Sequence, residues 1–375
     1  MLTDWRNKRV LVTGGAGFLG SNLCHALGAR GAEVLALDNM HPAMGAHPGN
    51  LDGSGAELRR VDLRDDDLLP HCEGVDALFN FAAQTSHAGS MQDPLNDLAI
   101  NATIQLRLID AMRRAAPEAV VVHASTRQFY GKPQYLPVDE LHPIVPPDAN
   151  GVSKFAGEQY WLLEQRVHAR RVCALRLTNC YGPRLRIKDH RQTFLGIWIR
   201  RVLEGDPFEV WGGEQLRDLA YADDVVDAFL MAAGCLLRGD APPPEPALAG
   251  RDAAAATAEA LAAAELGALE AAAPWPDATL APMPPRPRCN GRAFNLGGAP
   301  PVSLAELAEL LLDAAGTGRY ETRAFPDDRK AIDIGSFHAD DTAFRAATGW
   351  TPRVSLADGL RRTLDWFRPR LADYL

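Results

Sequence analysis

The first residues in the chain with an evident chemical use are glycines. Thr13-Gly14-Gly15-Ala16-Gly17-Phe18-Leu19-Gly20 directly follows the strand-like run Val10 to Val12. It opens a stretch of helical spacing that carries Phe18, Leu19, Leu23 and Leu27. Within it, Gly14-x-x-Gly17-x-x-Gly20 permits a tight turn, and the missing side chains let a pyrophosphate approach the helix N-terminus. Free N–H groups and the helix dipole favour negative charge there. A glycine triplet alone is a weak signal; its place at a strand–helix junction makes it specific. The next strand-like run, Val34 to Leu37, ends in Asp38, followed by Asn39. A carboxylate at that point accepts hydrogen bonds from both adenosine ribose hydroxyls and repels a 2′-phosphate. No arginine follows immediately, so the expected cofactor is NAD rather than NADP. Asp62-Leu63, after a third strand, is placed to contact the adenine.

The elements that must position these residues can be read from apolar periodicity. Short strand-like runs at Val10–Val12, Val34–Leu37, Leu58–Val61, Ala77–Phe81, Ala119–His123 and Val172–Leu177 alternate with helical stretches. The helices include one over 17–30, a long one through Leu98, Leu106 and Met112, and one over 152–168. That alternation predicts an α/β fold, a Rossmann-type doubly wound parallel sheet covered on both faces. After Tyr181 the pieces shorten: a helix at Thr193–Leu203, a strand at Phe208–Trp211, a helix at Val225–Leu237, then Ala293–Leu296, Leu304–Ala314 and Leu356–Phe367. They predict a smaller mixed α/β substrate lobe. The expected organisation is a cofactor domain over 1–180 with returning segments of the second half, a substrate lobe over 181–237 and 292–375, and an Ala/Pro-rich insertion over 238–291. The Ala-rich middle of the insertion, 252–273, can form a helix; its Pro-rich flanks cannot.

Bulk properties exclude several functions. A formal net charge of −9 gives no global attraction for nucleic acid or anionic lipid. No apolar run approaches the roughly 18 residues of a membrane helix. The six cysteines contain no C-x-x-C pair and read as reduced, buried thiols; no metal site is expected. The polar start MLTDWRNKR runs straight into the first strand, so a cytoplasmic location is expected.

At this point the sequence resembles the extended short-chain dehydrogenase/reductases, the NAD-dependent epimerase/dehydratase family. The matching segments are the glycine turn, Phe81-Ala82-Ala83, Asn101, Ser125-Thr126 before Phe129-Tyr130-Gly131, Lys154 with Glu158, Arg176-Leu-Thr-Asn179-Cys-Tyr181-Gly182-Pro183, and Arg217-Asp218 with Tyr221-Ala-Asp223-Asp224. They stand in order over nearly the whole chain outside 238–291. The resemblance implies a nucleotide-diphosphate sugar as partner, with Ser86, Asn179, Arg191 and Arg217 among its contacts. It implies that Thr126 takes the family's catalytic Ser/Thr role, that Lys154 bonds the nicotinamide ribose, and that Phe81, Ala82 and Ala83 join the cofactor contacts. It also implies a homodimer built on two long helices, here 93–116 and 147–170.

The chain departs from the family at one decisive place. The family's Tyr-x-x-x-Lys reads here as Asn150-Gly151-Val152-Ser153-Lys154. A phenol can ionise and take a sugar hydroxyl proton; an amide can hold that hydroxyl but cannot be a base. Groups that could substitute are His87, in the loop after the fourth strand, and Lys188, in the charged loop 184–191; Cys180 reads as a packing thiol. Dehydratases and decarboxylases of the family carry acids two or three residues before the residue matching Tyr130; here those are Arg127 and Gln128. The loop with Arg184, Asp189 and Arg191 is nevertheless similar to that of nucleotide-sugar uronate decarboxylases. The expectation is an NAD-dependent nucleotide-sugar epimerase with a non-Tyr base. The alternatives are a decarboxylase, dehydratase or oxidoreductase on the same substrate class, or a non-catalytic NAD/sugar-nucleotide binding protein.

Overall fold

A computed structural model of the chain describes residues 3–42, 44–189, 193–239, 289–325 and 333–375. In chain order the cofactor half comprises β1 (Arg9–Thr13), α1 (Phe18–Gly28), β2 (Glu33–Asp38), β3 (Glu57–Arg60), α2 (Leu69–Cys72), β4 (Ala77–Asn80), α3 (His87–Gln92), α4 (Pro94–Leu98), α5 (Ile104–Ala115), β5 (Val120–Thr126), α6 (Ala149–His168) and β6 (Val172–Leu177). There follow β7 (Asn179–Tyr181), α7 (Phe194–Glu204), β8 (Phe208–Trp211), β9 (Leu216–Arg217), β10 (Leu219–Tyr221) and α8 (Ala222–Arg238). The last described elements are β11 (Arg292–Leu296), β12 (Val302–Ser303), α9 (Leu304–Ala315), β13 (Tyr320–Arg323), α10 (Thr342–Thr348) and α11 (Leu356–Phe367).

Seven strands form one parallel sheet in the order β11-β6-β5-β4-β1-β2-β3. Its central strands are apolar without alternation because both faces are covered. Val10 and Val12 pack with Leu23 and Leu27 of α1 and Phe229 of α8. Leu11, pointing the other way, packs with Leu108 and Met112 of α5 and Trp161 of α6. The strand order reverses at β1, between β4 and β2, which opens a crevice at the carboxyl ends of the strands. A second core joins α7, α9 and α11 through Trp198, Leu307, Leu311, Leu360 and Phe367. All six cysteines are free thiols, and among the described residues no helix is long and apolar enough to cross a membrane.

The long helix expected through Leu98, Leu106 and Met112 runs without interruption from Pro94 to Ala115 as α4, a π-turn over Ala99–Thr103, and α5, and the short α3 precedes it. Pro94 lacks an N–H and forces Asp93 out of helical geometry, so a new helix starts there, capped by the Asp93 carboxylate. One expectation of the fold needs correction. Ala293–Leu296, expected in the small lobe, lies in β11 and extends the main sheet beside β6. Most of the predicted insertion, including the Ala-rich helix over 252–273, lies outside the described residues.

A buried ion pair fastens α6 to the sheet. Glu158 receives Arg176 in two hydrogen bonds, Nε to Oε2 at 3.0 Å and Nη2 to Oε1 at 2.7 Å. The Ser125 hydroxyl donates to Oε2 at 2.6 Å. Arg176 also donates to the Tyr130 hydroxyl, which donates in turn to Asn295 of β11. Removing one member strands the other charge in the interior, at a cost of about 3–5 kcal/mol. Glu158→Ala is therefore expected to lower unfolding free energy in urea by about that amount; a loss under about 1 kcal/mol would contradict the role given to the pair.

Candidate active site

The glycine turn between β1 and α1 has no room for side chains. Gly14 adopts φ of 67°, and a Cβ there would stand 2.9 Å from the Ala82 nitrogen. A Cβ on Gly20 would stand 2.2 Å from the Gly14 carbonyl oxygen. Gly17 is the N-cap of α1 and supplies no capping side chain, so the first helical N–H groups are left to a ligand. The turn is buttressed from far along the chain. Asn50 Nδ2 donates to the Ala16 carbonyl at 2.8 Å, Tyr374 donates its hydroxyl hydrogen to Asn50 Oδ1, and the Tyr374 ring stacks on His47 at 4.4 Å.

Gly14, Gly17, Phe18, Leu19, Asp38, Asn39, Asp62, Leu63, Phe81, Ala82 and Ala83 all line one cleft of about 640 Å³. Ala16 stands just behind it, its N–H donated to Asp38 Oδ2 at 3.2 Å. Asp38 also accepts the Met40 N–H at 2.9 Å, and burial pushes its carboxyl above the usual range. Arg64 comes in from the segment after β3, but Asp62 holds it in two hydrogen bonds of 3.0 and 2.8 Å. That pairing keeps Asp62 well below the usual carboxylate range and leaves the Arg64 guanidinium engaged by protein. A turn that only glycine fits, uncapped helical N–H groups and a buried ribose-side acid fit NAD.

The opposite end of the cleft is lined by Ser86, His87, Thr126, Arg127, Gln128, Asn150, Lys154, Asn179 and Cys180. Its hub is the buried carboxylate of Asp148. Oδ1 accepts the Gly151 N–H at 2.7 Å and caps α6. Oδ2 accepts Gln128 Nε2 at 2.9 Å and lies 2.9 Å from His87 Nδ1. Burial pushes Asp148 up, but its hydrogen bond with His87 and the charge there, with those of Gly151 and Gln128, outweigh it and hold the acid below its ordinary value. Ser86 caps α3 by accepting the Gly89 N–H.

Asn150 is 1% exposed. Its amide nitrogen donates to the Gln84 carbonyl at 2.9 Å and to Asp97 Oδ1 at 3.0 Å. Both amide hydrogens are thus used, and a carbonyl acceptor remains at the cleft wall. Lys154, one helical turn further on, makes no hydrogen bond or ion pair with a described residue. Burial pushes its ammonium down to about 8, against the opposing charge of Asp97. A buried ammonium at a cleft wall without a protein acceptor suits a ribose diol. Thr126 ends β5, and its hydroxyl accepts the Gln128 N–H at 3.2 Å.

Other expected residues are not brought in. Lys188 is exposed and does not line the cleft. Arg217 is buried behind it, donating to the Leu216 carbonyl at 2.9 Å, to the Gly335 carbonyl, and to Asp333 at 3.4 Å. Its fork is spent on protein, so it does not reach the cleft. Arg191 lies outside the described residues. Burial pushes the Cys180 thiol up to about 12, which suits packing and not proton transfer. Asp148, Gln128, Asp97 and Gln84 were not singled out from sequence. Asp148 carried a helix-start signal, an acid three residues before a helical N–H; its tie to His87 carried none.

Comparisons with known proteins agree with this geometry. A profile of the NAD dependent epimerase/dehydratase family matches residues 10–242. A putative UDP-glucose 4-epimerase of Methanocaldococcus jannaschii is 35% identical over 96% of this chain and 98% of its own. The UDP-glucose 4-epimerase of Mycolicibacterium smegmatis is 28% identical over 96% and 98%. Among solved structures, the Thermus thermophilus UDP-glucose 4-epimerase complex with NAD superposes with a TM-score of 0.71 at 26% identity, covering 96% of this chain and 99% of that one.

The buried ammonium gives a checkable sign. With a folded value of about 8 against 10.5 unfolded, Lys154 loses protons on folding between those values. Stability from this group therefore rises with pH across that window, and its charge is a cost at pH 7. In NAD-stripped protein, Lys154→Met is expected to raise stability at pH 7 by about 1–3 kcal/mol, with the gap to wild type narrowing toward pH 9.5. Melting curves across pH check this; a variant less stable than wild type at pH 7 contradicts it.

Proposed function

The chain belongs to the NAD-dependent epimerase/dehydratase family, and on that premise we propose that it is a nucleotide-sugar epimerase whose proton-transfer group is His87. The observation that carries this reading is the His87–Asp148 contact of 2.9 Å at the cleft wall. A buried carboxylate on Nδ1 fixes the tautomer and leaves the Nε2 lone pair for a substrate proton. His87 Nε2 takes the proton of a sugar hydroxyl, and Asp148 stabilises the imidazolium that results. Thr126 and the Asn150 carbonyl orient that hydroxyl, and Lys154 holds the nicotinamide ribose. Bound NAD supplies the hydride acceptor for the sugar carbon and the donor for its return. Once the keto sugar has turned its other face to the cofactor, the returned hydride would leave the carbon inverted, and His87 gives the proton back to its oxygen, so no net redox change remains.

An epimerase is favoured over a dehydratase or decarboxylase by what lies before Phe129. Arg127 and Gln128 supply no carboxylic acid, and the Gln128 amide is spent on Asp148. Replacing His87 with Asn is expected to cut kcat by roughly 10²–10⁴-fold while tightly bound NAD is retained. Turnover of a panel of nucleotide sugars, followed by chromatography of the products, is the measurement. Wild-type-like kcat in that variant would sink the assignment, and carbon dioxide or dehydrated product would move the chain to another reaction class.

A homodimer is also proposed. Leu95, Leu98 and Leu106 on α4–α5 and Val152, Leu163 and Val167 on α6 are exposed at 77, 45, 45, 56, 41 and 62%. The two helices are tied side by side by Arg113 and Glu164, so the exposed apolar residues suit pairing with a second copy. Light scattering is expected to show twice the chain mass of 40.6 kDa. Leu106→Glu with Leu163→Glu is expected to halve that mass; a monomeric wild type would refute the proposal.

A further inference from the structure

One cation at the reacting end of the cleft has no role in proton transfer. Arg127 immediately follows Thr126, the last residue of β5, and lines the cleft. Its Nη2 donates to Asn179 Oδ1 at 3.1 Å, and its guanidinium lies 4.6 Å from the centre of the Phe337 ring. Nη1 is buried and has no hydrogen-bond partner, and the same holds for Nδ2 of the adjoining Asn179. No carboxylate among the described residues pairs with Arg127. Asp218 is engaged instead by the Thr178 hydroxyl and, at 3.0 Å, by the Ala339 N–H; Asp333 is engaged by Arg217. Burial, with Arg217 adding like charge, pushes Arg127 down to about 10. Two adjacent orphan donors, one of them cationic, are a costly arrangement for a pocket that takes only neutral hydroxyls.

We propose that Arg127, with Asn179, receives a carboxylate carried by the sugar, so that the substrate is a nucleotide-linked uronic acid or another carboxylated sugar. The inference rests on the nucleotide-sugar reading of the cleft and adds the substrate's chemical class. An arginine fork matches the two oxygens of a carboxylate, and the amide nitrogen of Asn179 supplies a further donor. The diphosphate is the other possible source of anionic oxygens. The sugar is favoured because Arg127 is one residue from Thr126, which lines the cleft with Asn150 and Lys154 at the reacting end.

Calorimetric titration of the NAD-loaded full chain with UDP-glucuronate, UDP-glucose and UDP tests this. Wild type is expected to bind UDP-glucuronate at least ~10-fold tighter than UDP-glucose. In Arg127→Ala the affinity for UDP-glucuronate is expected to fall ~10–100-fold while that for UDP-glucose stays within about threefold. Arg127→Lys, which keeps the charge without the fork, is expected to fall between them. The preference of the wild type carries the test even if the alanine variant folds poorly. Equal affinity for the two sugars, or no binding of either, overturns the proposal. A matching loss for UDP-glucose and UDP in Arg127→Ala also overturns it, because it assigns the arginine to the diphosphate. Epimerisation of UDP-glucose without preference would sink this inference and leave the epimerase reading standing. Arg127-dependent binding of UDP-glucuronate without turnover would do the reverse.

Discussion

The reacting end of the cleft is organised around one buried carboxylate. Asp148 starts α6 by capping the Gly151 N–H, and α6 carries both Asn150 and Lys154. Its other oxygen holds Gln128, just after β5, and His87, the first residue of α3. Three separate parts of the fold are thereby fixed to one point. The position of the helix and the orientation of the imidazole are consequences of the same charge. Charge-assisted hydrogen bonds of this kind are short and directional, which gives a half-exposed histidine a defined pose.

The amide at position 150 belongs to this arrangement and is not a vacant place. Asn150 spends its hydrogens on the Gln84 carbonyl and on Asp97, whose second oxygen is buried without a partner. Asp97 also receives Asn101 at 2.9 Å. This polar layer under the cleft floor joins the loop after β4 to α6. Where the resemblance expects a phenol, the chain holds a hydrogen-bonded amide; in the proposed reading the ionisable group is His87 instead.

What was legible in the sequence is what local chemistry decides. The glycine turn and Asp38 could be read because each requirement is met within a few residues: a strand, a turn, a helix start, and an acid at the next strand's end. The apolar runs of β1, β2 and β6 announced a sheet buried on both faces. The periodicity of Leu98, Leu106 and Met112 announced the helix that starts at Pro94, but not the π-turn over Ala99–Thr103 inside it. Pairings across the chain were not legible. Arg217 has the right chemistry for a diphosphate, but Gly335 and Asp333, more than a hundred residues later, turn its fork away. His87 and Asp148 are 61 residues apart, and nothing near either announces the other. β11 joins the main sheet only through register with β6, a relation that no local pattern encodes.

The contact between Tyr374 and Asn50 has a consequence for how the molecule matures. The phosphate-facing turn is written into residues 14–20, yet its Ala16 carbonyl is held by Asn50, and Asn50 is held from 324 positions away. A second tie, His47 to the Asp373 carbonyl, spans 326 positions. Loops that long close late, after shorter-range contacts have formed. A nascent chain can build most of its sheet early, but the dinucleotide cradle reaches its final rigidity only once the far segment has docked. The shape of the turn thus depends on contacts between segments more than 300 positions apart.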